Sequence, residues 1–443
     1  MNRQNKKRIS LLLGFCLLIT MGGFGNLKWA NAADATMAVA DAEPTEEPTD
    51  VKNASDVAAI NKIIADQRAK GATVSENLDD TDQYTWNDGR LVEIKWISNS
   101  DTTIDYKLTG DISFNDLTAL ETIDCSVSYG LTSIEVTDCK ALKALKISHS
   151  QITTLNIEKN VALQKLDCSG SEISDLDVSH NPELKKLECD ETQIKNLDVS
   201  KLANLQNLSC NNLEIESLNL SSNKKLEELS FDFCEHISNI DLSNNVMLRE
   251  VSCAYSSINA LDVSKNVALE KLNCYNTNIQ SLDVSKNIEL KFLRCDSTKL
   301  TTLDVTCNTK LEYLSCSRTD ILYVDIRKCS KMTKEDVYCD YEMLIVHNEE
   351  TAQIVPECVA LHKIVTAQRA LGAQIDDYWN GEDYYWENGH LVGIDLCQRG
   401  LKGKISFAGL PALRTISIIG NEITELDVSN IPDLKCLECE DNK

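Results

Sequence analysis

Apolar and polar residues alternate in short runs along the middle of the chain, and the runs restart every 21 or 22 residues. Leu-Asp-Val-Ser-Lys-Asn begins at Leu261 and again at Leu282. Close variants begin at Leu155, Leu176, Leu197, Leu218, Ile240, Leu303 and Val324, with weaker starts at Ile112 and Ile134. In the unit from Leu261, the inward candidates are Leu261, Val263, Asn266, Leu269, Leu272, Cys274, Thr277 and Ile279. Leu261-Asp-Val263 and Leu272-Asn-Cys274 alternate as strands do. A unit this short cannot hide its own apolar row, whereas stacked units bury the rows as continuous ladders. At roughly 4.8 Å per coil, ten coils predict a solenoid rod of about 50 Å. Near residue 234 Phe231 replaces the usual cysteine and one residue is inserted before Ile237. This predicts a local bulge and no domain boundary.

A second pattern occurs twice. Ala59-Ile60-Asn-Lys-Ile63-Ile64 matches Ala360-Leu361-His-Lys-Ile364-Val365, and Gln67-Arg68-Ala69 matches Gln368-Arg369-Ala370. Tyr84-Thr-Trp86 matches Tyr384-Tyr-Trp386. Each copy predicts an amphipathic helix ended by glycine, an acidic loop, and a hairpin turning at Asp88-Gly89 or Asn388-Gly389. Open solenoid ends need capping units. Trp86 and Trp386 are therefore expected to cover the first coils of two separate arrays.

Leu166-x-Cys168…Ile173-x-x-Leu176-Asp-Val178-Ser-x-Asn181 resembles the bacterial leucine-rich repeat in its 21-residue, IRREKO-type form, found in exported and internalin-like surface proteins. The resemblance covers about residues 112–340 and 405–443. It implies a leucine-rich repeat solenoid of the α/β horseshoe class, rich in β structure with little helix. Two features depart from the family pattern. The third core position is mostly Cys. The first Asn position holds Ser150, Ser171, Thr192, Leu213, Cys234, Ser256, Thr277, Thr298 and Thr319 instead, and only Asn421 and Asn442 keep the amide.

The expected organisation is a signal peptide at 1–32, an acidic linker at 33–52, a cap at 53–111, a first array at 112–340, a connector at 341–356, a second cap at 357–404 and a second array at 405–443. The N-terminus runs from basic residues (Arg3, Lys6, Lys7, Arg8) through an apolar stretch to Ala30-Asn31-Ala32, the order of a secretory signal. Phe15 before Cys16 departs from a lipoprotein signal. No other apolar run is long enough to span a bilayer. The second array stops at Cys439-Glu-Asp-Asn-Lys443, in mid-repeat, so the natural protein is expected to continue.

Charge narrows the partners. The chain has 443 residues and a net charge of −25. Five of the basic residues and none of the acidic ones lie in the first 32, so the remainder carries −30. Nucleic-acid affinity depends on Lys and Arg neutralising phosphates, and no basic stripe is visible. The same balance disfavours an anionic membrane surface.

Half of the 18 cysteines share one repeat position: Cys125, Cys168, Cys189, Cys210, Cys253, Cys274, Cys295, Cys316 and Cys439. Parallel Cβ vectors one strand spacing apart do not suit disulfides, so free, buried thiols are expected. The single CxxC, Cys436-Leu-Glu-Cys439, has neither a second pair nor a nearby His to make a zinc site. Asp177, Asp198, Asp241, Asp262, Asp283, Asp304 and Asp325 form an outward acidic row. Calcium could bridge such oxygens, but the glycine-rich turns of calcium repeats are missing, and a solvated face is expected. No G-x-S-x-G, HExxH or P-loop is present, and the six histidines are scattered. The reading is not an enzyme, with no cofactor and no metal.

Residues between the buried strand positions face solvent. On later coils these are Tyr255, Tyr275, Phe292, Arg294, Tyr313 and Arg318, on or just after the strand. Tyr and Arg recur at binding hot spots, and these six form the candidate ligand site. The expected function is binding of an extracellular protein or glycan by a secreted or surface-held bacterial protein of adhesin-like type. The alternative is a targeting or spacer module of a longer enzyme or wall-anchored protein continuing past Lys443.

Overall fold

The computed structural model describes residues 51–98, 106–340, 343–375 and 382–443. The expected signal at 1–32, Cys16 and all but the last two residues of the expected linker at 33–52 lie outside the described residues.

Helix α1 (Ala54–Ala69) opens the described chain. The Asn53 side chain caps it, accepting from the backbone N–H of Ser55 and Asp56. It buries Ile60 and Ile64. Its buried Asp56 carboxylate accepts from Arg90 Nε at 2.7 Å and from the Leu91 N–H at 3.0 Å. These bonds tie the helix to the antiparallel hairpin of strands Tyr84–Asn87 and Arg90–Lys95. Asp88 and Gly89 both take positive φ in its turn, as a two-residue hairpin loop requires.

From Arg90–Lys95 onward the sheet is parallel, with one short strand per coil. Most strands are three residues long, and the middle residue points inward. Leu166, Leu187, Leu208, Leu229, Val251, Leu272, Leu293 and Leu314 pair in unbroken register. The thirteenth strand in this sheet is Val337–Tyr338.

Three internal columns hold the coils together. The thiol column is buried from Cys125 to Cys316, with Ile147 and Phe231 filling two of its places. Cys439 shares the register but is exposed, because its coil is the last one described and nothing stacks on it. The hydroxyl column bonds within its own coil: Ser171, Thr192, Ser256, Thr277, Thr298 and Thr319 each donate to the carbonyl of the cysteine three residues earlier. The asparagine column is the one that bridges coils. Nδ2 of Asn160, Asn181, Asn223, Asn245, Asn266, Asn287 and Asn308 donates to two carbonyls of the preceding coil. At its two ends thiols stand in: Cys139 Sγ donates to Phe114 O and Cys329 Sγ to Val305 O.

The insertion near residue 234 leaves the strand ladder regular, contrary to the expected bulge. Glu228–Ser230 pairs in register on both sides. The extra residue is absorbed after the strand, where Ile237 N–H closes a turn onto Cys234 O. The acidic row also has a structural role. Asp177, Asp198, Asp241, Asp262, Asp283 and Asp304 each accept from the N–H two residues on, closing the turn that starts the next segment. Bonds from the hydroxyls of Ser179, Ser243 and Ser285, with those from their N–H groups, hold Asp177, Asp241 and Asp283 below the usual carboxylate range.

After residue 343 come helix α2 (Glu349–Gln353) and helix α3 (Val355–Ala370). Glu357 of α3 takes the place of Asp56, bonding the Leu391 N–H and His390 Nδ1 of a second hairpin. That hairpin begins a separate four-stranded sheet with its own apolar core. Trp86 is half-buried, its Nε1 donating to Leu78 O. Trp86 and Trp386 each pack against the core of their own sheet, and a further ring, Trp96, lies wholly buried inside the first coil, edge-on to Tyr84.

Candidate functional site

Side chains on the two outward positions of each strand, and on the second and third residues after it, form the strand face of the rod. On coils 165–252 this face is polar. Behind it runs a continuous hydrogen-bonded row. Ser209 Oγ donates to Asp190, Ser230 Oγ to Asn211 Oδ1, and Ser252 Oγ to Asp232. The N–H of Asn211, Asp232 and Ala254 completes it. Burial raises Asp190 and Asp232 above the usual carboxylate range, against the opposing effect of these bonds. In front lies a trough of about 330 Å³, lined by residues from Lys186 to Phe292.

On later coils the face turns aromatic, and the structure joins the candidate residues in two runs. In the first, Phe233 stacks on Tyr255 at 4.4 Å and 11°. Tyr255 meets Tyr275 edge-on at 4.9 Å. Their side-chain hydrogen bond raises the Tyr255 phenol above its ordinary value. The Arg294 guanidinium covers the Tyr275 ring at 4.1 Å, and its Nε donates to Asp296 at 3.2 Å. In the second run, Phe292 stacks on Tyr313 at 4.5 Å and 7°, and Tyr313 meets Tyr338 at 5.1 Å. Arg318 is exposed at the margin, its backbone N–H donating to Asp340.

Phe233 and Tyr338 extend the site beyond the residues expected from sequence. Phe233 occupies the same position after the strand as Tyr255, one 22-residue step earlier. Tyr338 lies in Val337-Tyr338-Cys339, displaced to a 23-residue step from Leu314, and the pairing of Leu314 with Val337 and of Ser315 with Tyr338 fixes its register. Phe233, Tyr255 and Arg318 share another property: all take positive φ. So do Glu191, Asn212, Asn276 and Ser297 at the equivalent position, and Gly170 before them. The conformation is thus a demand of the coil. Bulky side chains meet it at a cost of about 1–2 kcal/mol each.

Among the described residues no group of His, Cys, Asp and Glu converges as metal ligands, and no helix is long and apolar enough to cross a membrane.

One short parallel strand per coil, buried leucine rows and a bridging asparagine column define a leucine-rich repeat solenoid. No family model matches the sequence, and no curated protein matches it. Solved structures do. The functional domain of InlJ from Listeria monocytogenes, described as including a cysteine ladder, is 28% identical over 73% of this chain and 69% of that one, with a TM-score of 0.49. An internalin, InlF, from the same species is 16% identical over 86% of this chain and 94% of that one, with a TM-score of 0.43. The leucine-rich repeat protein LIC12759 of Leptospira interrogans is 14% identical over 76% of this chain and 84% of that one, with a TM-score of 0.41.

Proposed function

We propose that this chain is a non-catalytic, exported binding protein that works at the bacterial surface. It takes an extracellular protein or glycan on the strand face between Phe233 and Tyr338. The aromatic cluster carries this reading. Seven large side chains from six consecutive coils gather beside a polar trough, and two of them, Phe233 and Tyr255, occupy positions where smaller residues would be less strained. Aromatic and Arg clusters of this kind dominate binding energy at protein surfaces. Export is supported by the basic, apolar and small-residue order of the first 32 residues. A regular solenoid supplies a rigid, extended display surface for such a site.

The test is an array of extracellular proteins and glycans probed with the purified protein, followed by the triple variant Tyr275→Ala, Phe292→Ala, Tyr313→Ala. Binding is expected to be abolished in the triple variant. Unchanged affinity would remove the site, and an array with no specific signal would remove the function.

A further inference from the structure

The helix-and-hairpin pattern that occurs twice points to a second site. A cavity of about 480 Å³ lies where the coil of residues 319–343 meets α3, and none of its lining residues belongs to the aromatic cluster. Pockets of this size hold small molecules. Its two walls are tied together. Strand Leu344–Val346 pairs with Tyr323–Asp325 of the solenoid, and its Leu344 and Val346 pack with Ile354 and Cys358 at the start of α3.

One wall is α3, and α1 shows which of its residues the helix needs. Leu361 and Val365 are buried as Ile60 and Ile64 are. Arg369 Nε donates to Ile375 O, as Arg68 Nη1 does to Val74 O. Cys358, His362 and Thr366 instead stand where α1 has Val57, Asn61 and Ala65. They fall at four-residue spacing on one helix face, and all three line the cavity. The same helix forms in α1 without them, so packing alone does not call for them. Burial pushes the Cys358 thiol up to about 12, so it meets the cavity as a neutral group. His362 Nε2 and Thr366 Oγ1 lie 3.1 Å apart and bring polar hydrogens to this wall.

The opposite wall is acidic. It carries Asp320 and Asp340. Asp340 accepts the Arg318 N–H at 2.5 Å, and among the described residues neither carboxylate is paired with a cation. Between the walls lie Ile321, Leu322, Met343, Leu361 and Val365, an apolar floor. A cavity of this volume is roughly 8 Å across, close to the span of an ammonium and a carboxylate on one carbon with a hydrogen bond at each end. Each charged end needs a partner of its own when water is displaced, and the two walls supply one each.

We propose that this cavity binds a small zwitterion, an apolar α-amino acid. Its ammonium rests on Asp320 and Asp340, its carboxylate on His362 and Thr366, and its side chain on Met343, Leu361 and Val365. This site is separate from the proposed strand-face function and does not depend on it.

The experiment is calorimetric titration of the full chain with the common apolar L-amino acids, L-phenylalanine among them. Two analogues of phenylalanine go beside it: phenethylamine, which lacks the carboxylate, and 3-phenylpropionate, which lacks the ammonium. At least one amino acid is expected to bind saturably, at one site per chain. Each analogue should bind about tenfold or more weakly than phenylalanine, the loss of a charge-assisted bond. Asp320→Asn/Asp340→Asn and His362→Ala/Thr366→Ala should each weaken amino-acid binding by about the same factor, while the remote surface variant Tyr129→Ala leaves it unchanged. Equal melting temperatures show that the variants are folded, and the analogue comparison needs no variant. Either analogue binding as tightly as phenylalanine would overturn the zwitterion assignment. No saturable binding by any of the amino acids, or binding indifferent to both double variants, would overturn the site.

Discussion

Phe233 and Tyr255 stack ring on ring at 4.4 Å, and both backbones stand at positive φ, 59° and 56°. Elsewhere in this column the coil uses Gly170, Asn212 and Asn276, which tolerate the conformation better. Strain of about 1–2 kcal/mol per bulky residue is set against a stacking gain of about 0.5–1.5 kcal/mol. The pair thus adds nothing net to stability. Phe233→Asn/Tyr255→Asn is expected to melt at the same temperature as the parent or higher, while binding on the strand face weakens. Calorimetric melting alongside a binding titration checks both halves. A clear drop in melting temperature would make the stack structural.

The thiol column leads to a reactivity prediction. Burial pushes the thiol of Cys274 up to about 12 and raises those of Cys125, Cys168, Cys189, Cys210, Cys253, Cys295 and Cys316 well above their ordinary value, so almost no thiolate forms at neutral pH. Cys307, Cys436 and Cys439 are exposed. With an aromatic disulfide reagent at pH 8, these three are expected to react in the native protein. The buried column from Cys125 to Cys316 should react only after denaturation. Mass mapping of the labelled sites decides it. Fast native labelling of Cys210 or Cys253 would mean that the coils open far more readily than this packing allows.

The solenoid was legible because its signals repeat. The period, the inward leucines, the thiol column and Asn266 all followed from one unit read many times. What one unit could not show was which polar column bridges coils. Threonine and serine bond the carbonyl of their own coil, while asparagine is long enough to reach the preceding one. The acidic row read as solvated surface, because a side chain that closes its own turn leaves the same sequence trace as one that faces water. The site was legible in part. Tyr255, Tyr275, Phe292 and Tyr313 stood out as aromatics at outward positions. Phe233 was hidden by the inserted residue that follows it, and Tyr338 by an irregular coil. The partner of Arg294 could not be read at all, since facing Asp296 and Tyr275 depends on the side chain's turn and not on its position.

The asparagine column predicts a difference between two substitutions. Asn266 donates to Leu242 O at 3.1 Å and to Asn245 O at 2.8 Å, while its buried Oδ1 has no partner. Asn266→Ala removes both donors and leaves a void, with an expected loss of about 2–4 kcal/mol. Asn266→Leu also removes the unpartnered oxygen and fills the space. Leu202 already occupies this column, wholly buried. The expected loss for Asn266→Leu is about 1–2 kcal/mol. Denaturant midpoints of the two variants should therefore differ, with leucine the milder. The reverse order would show that this coil, unlike the one holding Leu202, has no room for leucine and is overpacked by it.

Asp190 supplies the pH prediction. Its carboxylate is desolvated behind the strand face, which raises it above its ordinary value near 3.8. A group raised on folding contributes stability below its unfolded value and loses that contribution as pH climbs through the folded value. At neutral pH the native state therefore carries an unfavourable buried charge, with Asp232 two coils away adding to it. The intervening coil shows the neutral solution. Asn211 accepts from Ser230 Oγ and the Asp232 N–H, and its Nδ2 donates to Ser209 Oγ. Asp190→Asn keeps the acceptor for Ser209 and the Asn211 N–H while removing the charge. It is expected to be more stable than the parent at pH 7, and the advantage should shrink as pH falls toward 3.8, where the parent's own carboxyl becomes protonated. Paired denaturant titrations between pH 7 and the acid range measure the difference directly. A destabilised variant at pH 7 would mean that the two oxygens of Asp190 are worth more as charged acceptors than their burial costs.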